Sequence, residues 1–361
     1  MPSSIENIRW TLASPMERQF FCAGAPRPMP FRDGIVDRRG RRIDYARISV
    51  TDRCNYRCIY CMPPEGVPPL SHDDIMRYED ILWLAGILSE LGVKKTRFTG
   101  GEPLVRRGMA GFLKDFRDVF PEMALSVTTN ASLVAQNARA LAQVPRLGMN
   151  ISLDTLDPDK FREMTRGGDI MDVMSGIAAA RDIGISPIKI NAVPILGFND
   201  SELPRIIEFA WDNGIVPRFI EFMPLCHGVW TRERFMGSGE ILRVLREKMG
   251  EWALVSPCAS ADGDVPSGPA RYYSNAASGL TAGIIEAVSN HFCSRCNRLR
   301  ITSSGGMRSC LFNGAETPLF DVVKSRDTAS AKREILRGID AKPLSWNDVR
   351  NGRGHMSGIG G

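Results

Sequence analysis

Apolar and polar positions follow two rhythms that take turns between Tyr45 and Met223. Short β-rich runs occur at Arg47–Thr51, Lys94–Thr99, Ala124–Thr129, Arg146–Leu153, Pro187–Ile195 and Val216–Met223. Between them, apolar residues recur at three- and four-residue steps over Tyr78–Leu91, Met109–Phe120, Val134–Ala142, Met171–Ile183 and Glu202–Asn213. Strand, helix, strand in this order implies parallel pairing with right-handed crossovers. Six such strands predict an α/β fold, an incomplete (βα)₆ TIM-like barrel rather than the closed eightfold form. After Glu240 the rhythm fails, and the Pro-, Ser- and Gly-rich stretch Ser256–Ala270 reads as a long loop leading into a C-terminal α+β region. Residues 1–35 carry Pro and Gly clusters and mixed charge without periodicity, which predicts a loosely ordered extension. The expected division is therefore 1–35, 36–250 and 251–361.

In a barrel of this kind, function collects at the C-terminal ends of the strands. Those ends carry Gly100-Gly101-Glu102-Pro103, Thr128-Thr129-Asn130, Asn150-Ile-Ser152-Leu-Asp154, Lys189-Ile-Asn191 and Glu221-Phe-Met223-Pro224. A Gly-Gly pair alone is most simply an ordinary turn. Polar residues on five successive strand ends are a different matter, because each would cost about 1–3 kcal/mol if buried unpaired.

Directly after the first run comes Asp52-Arg-Cys54-Asn-Tyr-Arg-Cys58-Ile-Tyr60-Cys61, three thiols spaced Cys-x₃-Cys-x₂-Cys. Such a loop can ligate three irons of a cubane cluster and leave the fourth open to a ligand. The alternative is a structural zinc, which wants four ligands. No fourth is at hand locally, since His72 lies beyond Pro63, Pro64, Pro68 and Pro69. A second set follows at Cys293, Cys296 and Cys310, with a Ser-Ser-Gly-Gly hairpin turn before the third thiol. A Cys₃His zinc site using His291 is the alternative there. Cys22, Cys226 and Cys258 fall outside any ligand spacing.

Composition narrows the setting. The chain has 361 residues, 43% hydrophobic and 24% charged, with no apolar run of membrane-spanning length. Nine cysteines without a secretory leader point to a reducing compartment, the cytoplasm by default. The net charge of +5 is too dispersed for nucleic acid but would attract a polyanionic small molecule such as a nucleotide.

The first cysteine loop resembles that of the radical S-adenosylmethionine enzymes, in which the methionine moiety chelates the open iron. The fuller set of motifs resembles the GTP 3′,8-cyclase family of molybdenum cofactor biosynthesis. That set comprises Tyr-Cys-Met-Pro-Pro-Glu-Gly, Thr-Gly-Gly-Glu-Pro-Leu, Thr-Thr-Asn, Asn-Ile-Ser-Leu-Asp-Thr-Leu, Lys-Ile-Asn, Ile-Glu-Phe-Met-Pro, Phe-Cys-x₂-Cys-Asn-Arg-Leu-Arg, Cys-Leu-Phe and a terminal Gly360-Gly361. The match runs from about Asp44 to the last residue.

The resemblance implies that Cys54, Cys58 and Cys61 hold the cluster that cleaves S-adenosylmethionine, with Tyr60, Gly101, Ser152 and Met223 at that cofactor. It implies an auxiliary [4Fe-4S] cluster on Cys293, Cys296 and Cys310. Arg47, Arg97, Thr128, Lys189, Arg298 and Arg300 fall on GTP positions, and Leu299 enters through its backbone. Gly360 and Gly361 would act close to the substrate. Ala131 departs from the family, which commonly has Gly after Thr-Thr-Asn and so suggests a positive φ there. The implied chemistry is reductive cleavage of S-adenosylmethionine, hydrogen abstraction from the ribose 3′ carbon of GTP, and attack of the sugar radical on guanine carbon 8. The implied partners are a one-electron donor such as flavodoxin, cyclic pyranopterin monophosphate synthase as recipient of the product, and a second copy in a homodimer. Nucleic acid and membrane are not expected. Two rival readings share part of the pattern. One is another radical enzyme acting on a peptide or cofactor precursor, which would not require Asn-Arg-Leu-Arg. The other is a non-enzymatic iron–sulfur redox or sensor protein, which would not need Gly-Gly-Glu-Pro.

Overall fold

The strands of this protein are apolar on one face and polar on the other, and that asymmetry shapes the fold. The computed structural model describes residues 34–225, 229–255 and 268–349. A short ribbon, β1 (Ile35–Val36) and β2 (Arg42–Ile43), leads into β3 (Tyr45–Ser49). There follow α1 (Tyr78–Glu90), β4 (Lys95–Thr99), α2 (Met109–Val119), β5 (Ala124–Thr129), α3 (Val134–Leu141), β6 (Leu147–Ser152) and α4 (Pro158–Thr165). The series continues with α5 (Ile170–Asp182), β7 (Ile188–Ala192), α6 (Leu203–Asp212), β8 (Val216–Ile220) and α7 (Ser238–Met249). Past it lie β9 (Trp252–Leu254), β10 (Ala270–Asn275), β11 (Thr281–Ile285), β12 (Arg298–Ile301), β13 (Gly306–Arg308), β14 (Thr317–Pro318), α8 (Phe320–Lys324) and α9 (Thr328–Asp340).

The six strands and five helices expected from periodicity are present within a few residues of their expected ends. One sheet joins them in the order β14-β13-β12-β3-β4-β5-β6-β7-β8-β11-β10-β9. Pairing is parallel from β12 through β3 to β8 and on to β11. The C-terminal region thus adds one parallel strand to each side of the expected six. One cavity is lined by residues of every strand from β12 round to β11, so the sheet curls, yet its hydrogen-bonded order has two ends and the barrel is open.

Alternation along each strand separates the chemistry. Ala46 and Ile48, Phe98, Val127, Met149 and Ile151, Ile190 and Phe219 are wholly buried. They belong to the core that includes α1, α2, α5 and α6, where a fully buried large side chain contributes roughly 1.5–3 kcal/mol. Phe98 of β4, for instance, meets Phe112 and Phe116 of α2 edge-on, at centroid distances of 5.0 and 4.9 Å. The intervening positions, Tyr45 and Arg47, Lys95 and Arg97, Thr128, Ser152, Lys189 and Asn191, Arg218, Arg298 and Arg300, line the cavity instead.

Ala131, the position where the resemblance calls for Gly, has φ of 66° and is wholly buried. Its carbonyl lies against α5: a Cβ on Gly176 would stand 2.0 Å from Ala131 O. The left-handed conformation costs Ala roughly 1–2 kcal/mol. Gly would forfeit about 0.8 kcal/mol for the buried methyl and a further fraction in unfolded-chain entropy, so the terms nearly cancel. Ala131→Gly should therefore change stability by less than about 1 kcal/mol, whereas Gly176→Ala should lower it by about 1–3 kcal/mol through overpacking. Urea unfolding of both variants checks this, and a large gain from Ala131→Gly would contradict it.

Candidate active site

The first cysteine loop leaves β3 and is pinned by the end of β4. Gly101 N donates to Thr51 O and Glu102 N to Arg53 O, both at 2.9 Å. A Cβ would stand 2.4 Å from Thr51 O if placed on Gly100 and 2.2 Å from Arg53 O if placed on Gly101. The close approach that two glycines permit is therefore made first of all to the cysteine loop itself. Arg57 Nη1 donates to Cys54 O at 2.6 Å, and Arg166 Nη1 reaches Arg57 O at 2.7 Å and Met62 O at 2.8 Å. Both arginines serve as backbone braces of the loop.

Cys54, Cys58, Tyr60 and Cys61 line the cavity together with Gly101, Ser152 and Met223. Burial pushes the Cys54 thiol up to about 11. Burial, then the neighbouring Cys61, Asp154 and Cys54, raise Cys58 well above the ordinary thiol range. Thiols crowded this way resist ionising by themselves, and a bound cationic metal centre is what makes their thiolates stable. Among the described residues no group of three His, Cys, Asp or Glu is preset to hold a single metal ion, so the triads suit a multi-iron cubane better than a zinc. Tyr60 Oη donates to Asp154 Oδ2 at 2.7 Å, and Val193 N donates to Asp154 Oδ1 at 2.7 Å. Burial lifts Asp154 to about 6 against those two hydrogen bonds. Asp154 thus fixes the Tyr60 ring. Glu102 plays a similar part, accepting from Leu104 N, Thr129 Oγ1 and Asn130 N at 3.0, 2.8 and 2.7 Å.

The second triad lies in the opening of the barrel. Cys293 and Cys296 fall between β11 and β12, and Cys310 follows β13 across the expected hairpin, whose register is Arg300↔Arg308 and Ile301↔Met307. All three thiols line the same cavity as the first triad. Here the electrostatics reverse. Burial would raise Cys296, but Arg298 and Lys342 beside it bring it down to about 6. His291 also lines the cavity, with Nε2 3.3 Å from Ser345 Oγ.

Between the triads the cavity wall is strongly basic. Among the described residues it presents eight lysines and arginines, Arg47, Lys95, Arg97, Lys189, Arg218, Arg298, Arg300 and Lys342, against a single carboxylate, Glu221. That carboxylate is occupied by Val288 N at 2.7 Å, Ser289 N at 2.9 Å, Ser238 N at 2.9 Å and Ser289 Oγ. The register sets Arg300, Arg47 and Arg97 side by side on β12, β3 and β4, with Arg298, Tyr45 and Lys95 in the row below. Burial, then Arg300, hold Arg47 well below the ordinary guanidinium range. Burial brings Arg300 and Arg218 to about 10, with Arg298 and Arg97 respectively adding to the shift. Burial would raise Tyr45, but Arg97, Arg47, Lys95 and Arg298 outweigh it. Tyr45 Oη, Thr128 Oγ1, Asn191 Oδ1 and Arg218 Nε are buried without a hydrogen-bond partner. A polyanion with hydrogen-bonding groups would relieve both the charge and these polar atoms.

Leu299 is buried in the core and its side chain is not part of the cavity wall. Gly360, Gly361, Cys22, Cys226 and Cys258 lie outside the described residues. Sequence reasoning passed over Lys95, Arg218, Tyr45, Asp154 and Lys342. Strand alternation held a signal for two of them: Lys95 shares a face with Arg97, and Arg218 interrupts an apolar run.

Residues 48–210 match the family described as Radical SAM superfamily, and residues 215–347 match Molybdenum Cofactor Synthesis C. The GTP 3′,8-cyclase of Petrotoga mobilis is 37% identical over 332 residues, spanning 91% of this chain and 100% of that protein. The GTP 3′,8-cyclase of Peptoclostridium acidaminophilum is 42% identical over 319 residues, spanning 88% of this chain and 91% of its own. Among solved structures, Streptococcus suis SuiB bound to S-adenosylmethionine superposes with a TM-score of 0.58 at 14% identity, over 86% of this chain and 68% of that one, a likeness of fold alone.

Proposed function

This chain belongs to the GTP 3′,8-cyclase family of the radical S-adenosylmethionine superfamily, and we propose that its basic cavity is where GTP is held between the two cysteine triads. It is an enzyme of molybdenum cofactor biosynthesis that converts GTP to (8S)-3′,8-cyclo-7,8-dihydroguanosine 5′-triphosphate, with two [4Fe-4S] clusters and S-adenosylmethionine as cofactors. The observation that carries the placement of GTP is the wall of eight cations facing one already occupied carboxylate. A triphosphate bears about four negative charges, which Arg forks and Lys point charges can hold.

In this reading Cys54, Cys58 and Cys61 hold the first cluster, with Tyr60, Gly101, Ser152 and Met223 at S-adenosylmethionine. Cys293, Cys296 and Cys310 hold the second. Arg47, Arg97, Thr128, Lys189, Arg298 and Arg300 bind GTP, with Leu299 through its backbone, and Lys95 and Arg218 join them on the same wall. When bound, the first cluster and S-adenosylmethionine supply the radical that takes hydrogen from the ribose, and the second cluster anchors the purine. The chain's own task is placement. Asp154 fixes Tyr60, Glu102 ties the Gly-Gly turn to the end of β5, and the arginine row holds the phosphates so that the ribose lies toward the first triad.

The 36–250 segment would then carry the first triad and the 251–361 segment the second, with Gly360 and Gly361 acting beside the substrate. A one-electron donor such as flavodoxin, transfer of product to cyclic pyranopterin monophosphate synthase, a homodimer and a cytoplasmic setting complete the proposal. Among the described residues no helix is long and apolar enough to cross a membrane. Anaerobic incubation with GTP, a reductant and S-adenosylmethionine should give a GTP-dependent cyclised product together with 5′-deoxyadenosine. Cleavage of S-adenosylmethionine with GTP left unchanged under every reducing condition would point to the rival enzyme reading instead.

A further inference from the structure

We propose that Lys342 is a positioning residue of the second triad: it ties together the two backbone segments that carry Cys296 and Cys310 and sets a buried positive charge beside their sulfurs. The proposal rests on the reading of that triad as a cluster site. Lys342 follows α9 and is only 4% exposed, an uncommon burial for lysine. Its Nζ donates to Arg298 O at 2.7 Å and to Ser309 O. Arg298 comes two residues after Cys296, and Ser309 directly precedes Cys310. The ammonium therefore bridges the open end of the β12–β13 hairpin, beyond the Arg300↔Arg308 rung, where both thiols emerge.

A second buried cation shows the difference between bracing and charging. Arg41, between β1 and β2, donates through Nη1 to Cys293 O at 3.1 Å and Pro343 O at 2.7 Å, and through Nη2 to Lys342 O at 3.0 Å. It thereby fixes the backbone of both the third cysteine and Lys342. Its own charge is matched by Asp37, 2.6 Å away. Lys342 instead gives its protons to neutral carbonyls, with Cys296 and Cys310 within electrostatic reach. A buried ammonium so placed is stable when an anion faces it. A thiolate-ligated cluster supplies that anion, and the cation in turn favours the reduced cluster, which carries one more negative charge.

The test uses full-length, anaerobically reconstituted holoenzyme. Lys342→Gln keeps a donor without the charge, and Lys342→Arg keeps both. Redox titrations followed by electron paramagnetic resonance, with S-adenosylmethionine present to mark the first cluster, read the two midpoints separately. In Lys342→Gln the equilibrium constant for reducing the second cluster should fall about tenfold, 59 mV for one electron, or the second cluster's iron alone should be lost. The first midpoint should not move, and Lys342→Arg should restore the second. Retention of the second cluster at its wild-type midpoint in Lys342→Gln overturns the proposal. So does loss of both clusters in the Gln and Arg variants alike. A wild type without any second cluster would instead defeat the underlying reading of the site.

Discussion

Cys54→Ala should leave a folded chain with about half of its roughly eight irons and no measurable 5′-deoxyadenosine formation. The fold is expected to survive because the loop is held by contacts that do not use this sulfur. Ile59 N donates to Met164 O at 2.9 Å, Arg57 N to Thr165 O at 3.0 Å, and Leu70 N to Asp52 Oδ2 at 2.7 Å. Only a long contact from Tyr56 N to Cys54 Sγ, 3.4 Å, is lost. Loss of a half-buried sulfur costs about 1 kcal/mol, small against ordinary domain stability. The chemistry has no such reserve, since two thiolates cannot hold a cluster built for three. Cys296→Ala should remove the other half of the iron and stop cyclisation while sparing some uncoupled cleavage of S-adenosylmethionine. Iron content, paramagnetic resonance and product chromatography read all three quantities. A fully active preparation with stoichiometric zinc at the second triad would sink the two-cluster assignment, and so would Cys296→Ala abolishing cleavage as completely as Cys54→Ala.

The parts legible in the sequence are those whose signal is local. Strands β4 to β8 and helices α1, α2, α3, α5 and α6 are each written in one window of periodicity, and the cysteine spacings sit on single loops. Helix α4 escaped although its start is well marked, with Asp157 accepting from Asp159 N and Lys160 N and Pro158 in the first turn. It is a single amphipathic stretch wedged before α5, so the strand–helix rhythm gave no reason to look for two helices. Strands β11 and β12 escaped for a different reason. They complete the parallel sheet from opposite sides, next to β8 and β3, although only the segment bearing Cys293 and Cys296 separates them in the chain. Nothing local announces such a long-range pairing. The same holds for Lys342, whose role exists only because α9 returns the chain to the β12–β13 hairpin. Asp154 was visible as a polar strand end but not as the partner of Tyr60, a contact between residues 94 positions apart.

Arg47→Met should make the protein more stable and a poorer enzyme at once. Arg47 is the middle of three arginines on adjacent parallel strands, with Arg300 on one side and Arg97 on the other. Like charges in register across neighbouring strands repel, and burial removes the water that would screen them. Burial and Arg300, in that order, are what make the charged form of Arg47 unfavourable. Methionine has a similar stem and no charge, so the substitution should raise stability by on the order of 1–2 kcal/mol in the absence of nucleotide. The same arrangement is favourable once phosphates fill the cavity, because each guanidinium then contributes a charge-assisted bond of about 1.5–3 kcal/mol. Losing one should lower kcat/KM for GTP roughly ten- to hundredfold, at about 1.4 kcal/mol per factor of ten. The stabilisation by added GTP should shrink in the same variant, because the repulsion that ligand binding relieves is already partly gone. Thermal unfolding with and without GTP, set beside steady-state kinetics, measures both sides. A variant that melts lower than wild type without GTP, yet keeps its kcat/KM, would show that the arginine row is a structural element rather than a site held ready for a polyanion.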